Sequence, residues 1–493
     1  MNQKHVIRLF PLLGAVCLLA ACAARPVAPP VAADDDPALA ACERLYTAVE
    51  SAVATAGAED GSGGAVPGAP WLRSDRWLAA QGEAADHDAW LQALREREVH
   101  ARLSEYVNLG QREREALREQ TGEGDVISTL LECGERLANA TEHDNAAWAQ
   151  LVSAAQIPDE YITWHRWAGV YPLTRFGILA GVWVWQNRVP ENFDNHVDGE
   201  PAPVRYVPAA TTQTDVRRAT EALAAAPRDG LGRLEPDAMA AELLFAVHAP
   251  VIEAEADEPW NRIGTPFWES AGRPNVLTGA PRVYTDLDHA RYNGAALPRL
   301  NYTFWFSSRP KAHVLDILGG RLDGMTVRIT LSEQGMPVHL ETMHNCGCYQ
   351  QHYLLGEAEA RADHGYAERP LVLDGPALPG EGERWVVRLQ DRSHYVAAIG
   401  SSDDVNTGRE YALAPYRDLT RLRGPDGGYQ SLFRPDGMVD GTSRDERALF
   451  WVSGVPDAGA MRQHGRHATA FVGRRHFDDA DMLERIIRMP EQK

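Results

Sequence analysis

The chain has 493 residues, 44% of them hydrophobic and 24% charged, which is ordinary for a globular protein and long enough for two or three domains with cores of their own. Its formal net charge is -20, which excludes duplex nucleic acid as the main partner, because that binding needs a basic surface. The same charge favours solubility.

Residues 1–21 read as a targeting segment. Lys4 and Arg8 give a basic start, and the apolar run LFPLLGAVCLLAAC that follows is too short to cross a bilayer as a mature helix. The run ends in Leu19, Ala20, Ala21 and Cys22. This segment resembles the lipobox of bacterial lipoproteins, in which a branched apolar residue and two small residues precede a cysteine. The resemblance implies cleavage before Cys22 and acylation (palmitate or a similar chain) of its thiol. In that family the residue after the cysteine steers sorting, and Ala23 in place of aspartate implies the outer membrane, facing the periplasm. The alternative is a plain secretory signal with Cys22 incidental. Residues 22–37, rich in Pro and Ala and then acidic, read as a disordered tether. Acyl chains at about 0.8 kcal/mol per buried methylene would make such an anchor permanent.

Residues 38–200 read as a helical domain. Leu39, Cys42, Tyr46 and Val49 fall on one helical face, Val99, Leu103, Tyr106 and Val107 on a second, and Val126, Leu130, Cys133 and Leu137 on a third. The stretch AGAEDGSGGAVPGAPW between the first two reads as a loop. The charged residues of LREREVHARLSEY read as solvated faces carrying weak local ion pairs. Cys42 and Cys133 both lie on apolar stripes, and an exported chain meets oxidising conditions, so a bridge between them is expected. The segment 161–186 is the most apolar of the mature chain, with Trp164, Trp167, Trp183 and Trp185 and a division at Pro172. It reads as a buried helix, and the competing reading is an interfacial helix dipping into lipid.

Residues 201–280 read as a mixed linking region. The helix DVRRATEALAAAP comes first, and PDAMAAELLFAVHAPVIEAEA then runs from helix into strand. From 281 to 493 the period changes to two. LNYTFWF, MTVRITL and VHLETM are strand-like, RWVVRL and HYVAAIG form a hairpin, ALFWVSG and HATAFVG are further strand candidates, and DDADMLERIIRMP is a short helix. The expected class is α+β: a helical N-terminal domain followed by a β-rich, mainly antiparallel C-terminal domain.

The densest chemistry is ETMHNCGCYQQHY. His344, Cys346, Cys348 and His352 offer thiolate and imidazole donors suited to zinc or copper, with Gly347 letting the chain turn between the sulfurs. A Cys346–Cys348 disulfide competes with that reading, and so does a purely structural segment. HLETMH does not match the spacing of a helical zinc protease. Arg462, Arg466, Arg474 and Arg475 form an acid-free cluster that could bind an anionic head group or glycan, unless nearby acids such as Asp478 and Asp479 pair with it. Asp316 and Asp323 are a weak carboxylate pair in a turn-like context. Nucleophile-elbow, phosphate-loop, dinucleotide and haem-attachment motifs are absent from the sequence. Residues 300–350, with their H-x-C-G-C-Y segment, resemble uncharacterised bacterial lipoproteins, a resemblance that implies no activity. The expected function is a binding or scaffolding lipoprotein, attached to the membrane through its lipid and meeting an envelope protein, lipid or glycan. The alternative is a zinc- or copper-dependent enzyme, such as a hydrolase, centred on His344, Cys346, Cys348 and His352.

Overall fold

Asp36 accepts a hydrogen bond from the Ala38 amide, and Pro37 occupies the first turn, so the first helix, Pro37–Ala56, begins there. Gly57, at φ 63°, ends it. The computed structural model describes residues 27–28, 36–83, 86–141, 145–197, 202–404 and 407–490. Cys22, the rest of the lipobox and most of the tether lie outside the described residues. The first helix buries Cys42, Leu45, Tyr46, Val49 and Val53, and packs on the helix Val126–Asn139, which buries Val126, Leu130, Cys133 and Leu137. Cys42 and Cys133 are joined by a disulfide, with their Cα atoms 5.0 Å apart.

Two expectations for this half are overturned. The glycine-rich stretch after the first helix holds a hairpin, Gly64–Val66 with Ala69–Ser74, rather than a plain loop. On the helix His87–Asn108, Leu103 is exposed, whereas Glu98, Arg102 and Glu105 are buried. Arg73 of the hairpin is the reason. Its guanidinium lies 3.2 Å from Glu98 and 2.8 Å from Glu105, and Arg102 closes the network on both acids at 2.8 and 3.0 Å. Four charges in a closed set of ion pairs can be buried where one could not.

The β-rich half is built on a nine-stranded sheet. Leu371–Asp374, Gln351–Leu354, Pro337–His344, Gly320–Leu331 and Ala295–Arg309 are successive neighbours. Arg282–Tyr292 and Ile263–Ser270 continue it from the long strand Ala295–Arg309. Most pairs are antiparallel; Gln351–Leu354 with Leu371–Asp374 is parallel. A second, five-stranded sheet contains Arg384–Leu389 and Val396–Ser402, paired with Val251–Ala254 and, beyond it, Val204–Val207. The residues around 204–254 are thus woven into a sheet with residues 384–402. The segments ALFWVSG and HATAFVG form no strands: the first is a helix Arg447–Phe450 followed by a 3-10 turn Trp451–Ser453, and the second is irregular cover.

Side-chain alternation gives the large sheet two different buried faces. Leu300, Tyr302, Phe304, Val327, Ile329, Leu340 and Tyr353 form the apolar core that the second sheet and the helices Gln213–Ala225 and Ala238–His248 help to close. The other face carries Arg299, Asn301, Thr326, Arg328, His339, Glu341 and His352, all buried. The C-terminal segment covers it: Phe477 O accepts from Arg328 at 2.9 Å, and Asp478 pairs with Arg328 at 2.9 Å.

The segment 161–186 forms two helices, Thr163–Ala168 and Tyr171–Asn192, with Pro172 in the first turn of the second. Neither buries a residue, which corrects the expectation of a core helix. Trp164, Trp167, Leu173, Phe176 and Trp183 are each 60–81% exposed. Hydrophobicity on all sides, ordinarily the mark of a buried helix, here belongs to a helix with an open space beneath it. No described helix is long and apolar enough to cross a membrane.

Candidate functional site

The strand Pro337–His344 turns back into Gln351–Leu354 through the Cys-Gly-Cys segment. Gly347 N donates to His344 O at 2.8 Å, and His344 N donates to Cys348 O at 3.1 Å. Gly347 sits at φ 89°, and a Cβ there would meet Ala468 O at 2.8 Å, so this position requires glycine on both counts. The C-terminal segment straps the turn: Arg462 donates to Cys346 O at 3.2 Å, and His467 Nε2 donates to Asn345 O at 3.2 Å.

Cys346 and Cys348 are unbridged in the structure, which departs from the expected disulfide. The tight turn brings the two thiols together without closing the small Cys-Gly-Cys ring. The contact with Cys346, together with burial and the nearby Glu446, pushes the Cys348 thiol well above its ordinary value. A protonated thiol is neither a good metal ligand nor a good nucleophile.

The four proposed metal ligands do not surround one point. Glu341 pairs across the strands with His352, and His344 is three residues from Glu341, so His344 and His352 leave opposite faces of the sheet. His344 points toward Asp323, with Nδ1 3.6 Å from Oδ1, while Asp323 Oδ2 lies 2.8 Å from His394 Nδ1. Burial alone would raise Asp323, but hydrogen bonds and charge from His344 and His394 outweigh it and hold the carboxyl well below the usual range. Burial lowers His344 against the pull of Asp323, and its Nε2 is buried without a partner. Asp316, by contrast, is spent on its turn, accepting from the Ala312 and Leu318 amides at 2.9 Å each.

His352 joins His339 and Glu341 on the polar face. Burial, with the charges of Arg299 and Arg328, pushes His339 down to about 3. Burial, with His339, Arg475 and Arg328 adding to it, holds His352 well below its ordinary value. Both imidazoles are therefore neutral.

Between the helix Tyr171–Asn192 and the Cys-Gly-Cys turn lies a cavity of about 530 Å³ with mostly apolar walls. That volume is in the range of small-molecule sites, which run from about 300 to 1,000 Å³. Gly177, Gly181 and Trp185 line it from the helix side, and Cys348 and Tyr349 from the turn. A Cβ on Gly177 or Gly181 would meet nothing within 4 Å. The polar end holds Tyr395, whose ring lies 4.6 Å from that of Tyr349 and whose hydroxyl accepts from Arg309 at 3.3 Å. Glu446 stands beside them. Burial pushes its carboxyl up to about 7, against the charges of Arg444 and Arg309 and with those of Asp323 and Asp316 adding to the rise. The site thus offers an apolar slot ended by two phenol hydroxyls and a carboxyl that burial keeps protonated up to about neutrality.

This carboxyl makes a testable pH signature. The folded state holds the Glu446 proton between pH 4.5 and about 7, where the unfolded chain has lost it, so its contribution falls as pH rises through that window. The loss is at most about 3 kcal/mol. Subtracting urea-melt stabilities of Glu446→Gln from wild type should expose this decline, and a pH-independent difference would contradict it.

The arginine cluster is consumed internally. Arg462 donates to the Cys346 and Asp457 carbonyls, Arg466 pairs with Glu160 at 2.9 Å, Arg474 with Asp159, and Arg475 with Glu368 at 3.5 Å. Asp478 goes to Arg328 and Asp479 to His476 instead. Glu446, Tyr395 and the two glycines were missed by sequence reasoning. A signal existed for the glycines: four residues apart in an apolar helix, they leave a groove on one face. None marks Glu446. No protein-family model, curated protein or solved structure matches the chain, so the site must be read from its own geometry.

Proposed function

We propose that this chain is a lipid-binding protein of the bacterial cell envelope, tethered through an acylated Cys22, that holds one acyl chain in the cavity beneath the helix Tyr171–Asn192. The cavity is the observation that carries the reading: an apolar slot of about 530 Å³ whose roof is a helix with no fully buried residue. The outer side of that roof supports it, because Leu173, Phe176 and Trp183, with Trp164 and Trp167 before them, are exposed. Such a set favours contact with the edge of a bilayer, where indole and apolar side chains are stable together. With a net charge of -20 the attraction is not electrostatic; the tether and these side chains supply it. The Cys42–Cys133 disulfide fits an oxidising compartment.

The test is a titration with a fluorescent fatty acid. Wild type should bind at one saturable site. Gly181→Leu should weaken binding more than tenfold by filling the slot, while raising stability by about 0.5–1 kcal/mol because leucine is the better helix former. Equal binding by the two proteins, or none by wild type, would contradict the proposal.

A further inference from the structure

We propose that His339, Glu341 and His352 bind one zinc ion, or a similar borderline divalent cation, as a buried structural site on the polar face of the large sheet. None of these three residues lines the lipid cavity, and the proposal does not depend on it.

The register makes the cluster. Glu341 and His352 are direct cross-strand partners, and His339 is two residues from Glu341 on the same face of its strand. His352 Nδ1 lies 3.3 Å from His339 Nε2 and 3.3 Å from Glu341 Oε2. As hydrogen bonds these contacts are long, and the direction of the His352–His339 contact depends on the tautomers. As edges of a metal shell they fit: four ligands at zinc's 2.0–2.1 Å bond length in a tetrahedron stand about 3.3–3.4 Å apart. Two imidazoles and a carboxyl group are the donors such a cation takes.

The surroundings are ordered for this. Arg328 donates to Glu341 Oε1 at 3.0 Å, which holds the carboxylate with Oε2 toward the histidines. Asp288 and Asp478 also pair with Arg328, so its charge is answered elsewhere and does not cancel that of Glu341. A fourth donor is at hand in Gln350, whose amide approaches Glu341 Oε2 at 3.4 Å and whose Oε1 is buried without a partner. Turned over, that amide would present its oxygen to the same point. All three principal residues are only 2–3% exposed, which suits a structural cation rather than a catalytic one. It would pin Pro337–His344 to Gln351–Leu354, the two strands that hold the Cys-Gly-Cys turn.

Elemental analysis of wild-type protein refolded with zinc and then dialysed should find one equivalent per chain. Content should fall more than roughly tenfold in His339→Gln and in His352→Gln, and stay at one equivalent in His344→Gln, whose imidazole lies on the opposite face. Should the first two variants fail to fold, cobalt(II) added to wild type decides: visible d–d bands of four-coordinate nitrogen–oxygen character are expected. Wild type that retains no zinc, cobalt without such bands, or full zinc in a folded His352→Gln protein would each overturn the proposal. Failure here would leave fatty-acid binding untouched, and loss of fatty-acid binding would leave the zinc content untouched.

Discussion

Arg328→Met should destabilise the protein by about 3–5 kcal/mol, or prevent folding, because removing one member of a buried charge cluster leaves the others unpaired. Arg328 is fully buried, and its guanidinium reaches Asp288, Glu341 and Asp478 at 3.4, 3.0 and 2.9 Å. It also donates to Asn301 Oδ1 at 2.6 Å and lies 3.6 Å above the Phe477 ring. Methionine fills similar volume but returns none of the charge. Arg299 still answers Asp288, at 2.8 Å, so Glu341 and Asp478 bear the loss. The deficit has a pH dependence with a definite sign. Burial would raise Asp478, but the charge of Arg328 outweighs it and holds the carboxyl far below its ordinary value, so its stabilisation is present above the unfolded pKa and lost as pH falls through the folded one. The variant lacks that contribution, so its disadvantage should shrink toward low pH. Urea unfolding at pH 7 and at about pH 3, below the unfolded carboxyl pKa of about 3.9, checks both points. A cost under about 1 kcal/mol at pH 7 would match a surface ion pair and contradict this picture.

Removing the disulfide should cost a similar amount by a different route. Cys42 and Cys133 are 91 residues apart, and closing a loop of that length removes enough entropy from the unfolded chain to stabilise the fold by about 4–5 kcal/mol. The double variant Cys42→Ala, Cys133→Ala should show that loss in urea, equal to the effect of reducing the wild type. A loss below about 1 kcal/mol would mean that the first helix and Val126–Asn139 are held together by their apolar faces alone. The Cys346–Cys348 pair should not contribute to the reduction effect, since those thiols are already free.

Local periodicity carried much of the fold. Val126, Leu130, Cys133 and Leu137 recur at helical spacing and are buried as that spacing demands. The alternation in LNYTFWF and MTVRITL likewise located two strands of the large sheet. What stayed hidden depends on partners distant in sequence. Glu98, Arg102 and Glu105 share a helical face but look like a solvated one, because Arg73 and the hairpin that brings it cannot be read from that helix. Arg328 and Glu341 look like the polar side of a half-exposed sheet until the segment around Asp478 covers them. The helix Tyr171–Asn192 misled in the other direction: its composition demands burial, and no local pattern reveals that its neighbour is a cavity.

The candidate site was legible to the same extent. Cys346 and Cys348 line the cavity, and His344 packs edge-on against Tyr349, which lines it too. His352 does not, because a hairpin of this register sends it to the opposite face of the sheet, where it meets His339 and Glu341. Reading the parity of VHLETMH against QQHY would have shown that separation, but only with the strand register in hand.

The lipid-binding account turns on what fills the space between Gly181 and Cys348. A crystal structure of the protein grown with a bromine-labelled fatty acid answers it: the account requires anomalous signal from bromine inside that cavity, with the carboxyl end toward Tyr395 and Glu446. A cavity occupied by water alone, or closed by the helix settling onto the turn while bromine binds elsewhere, would contradict it.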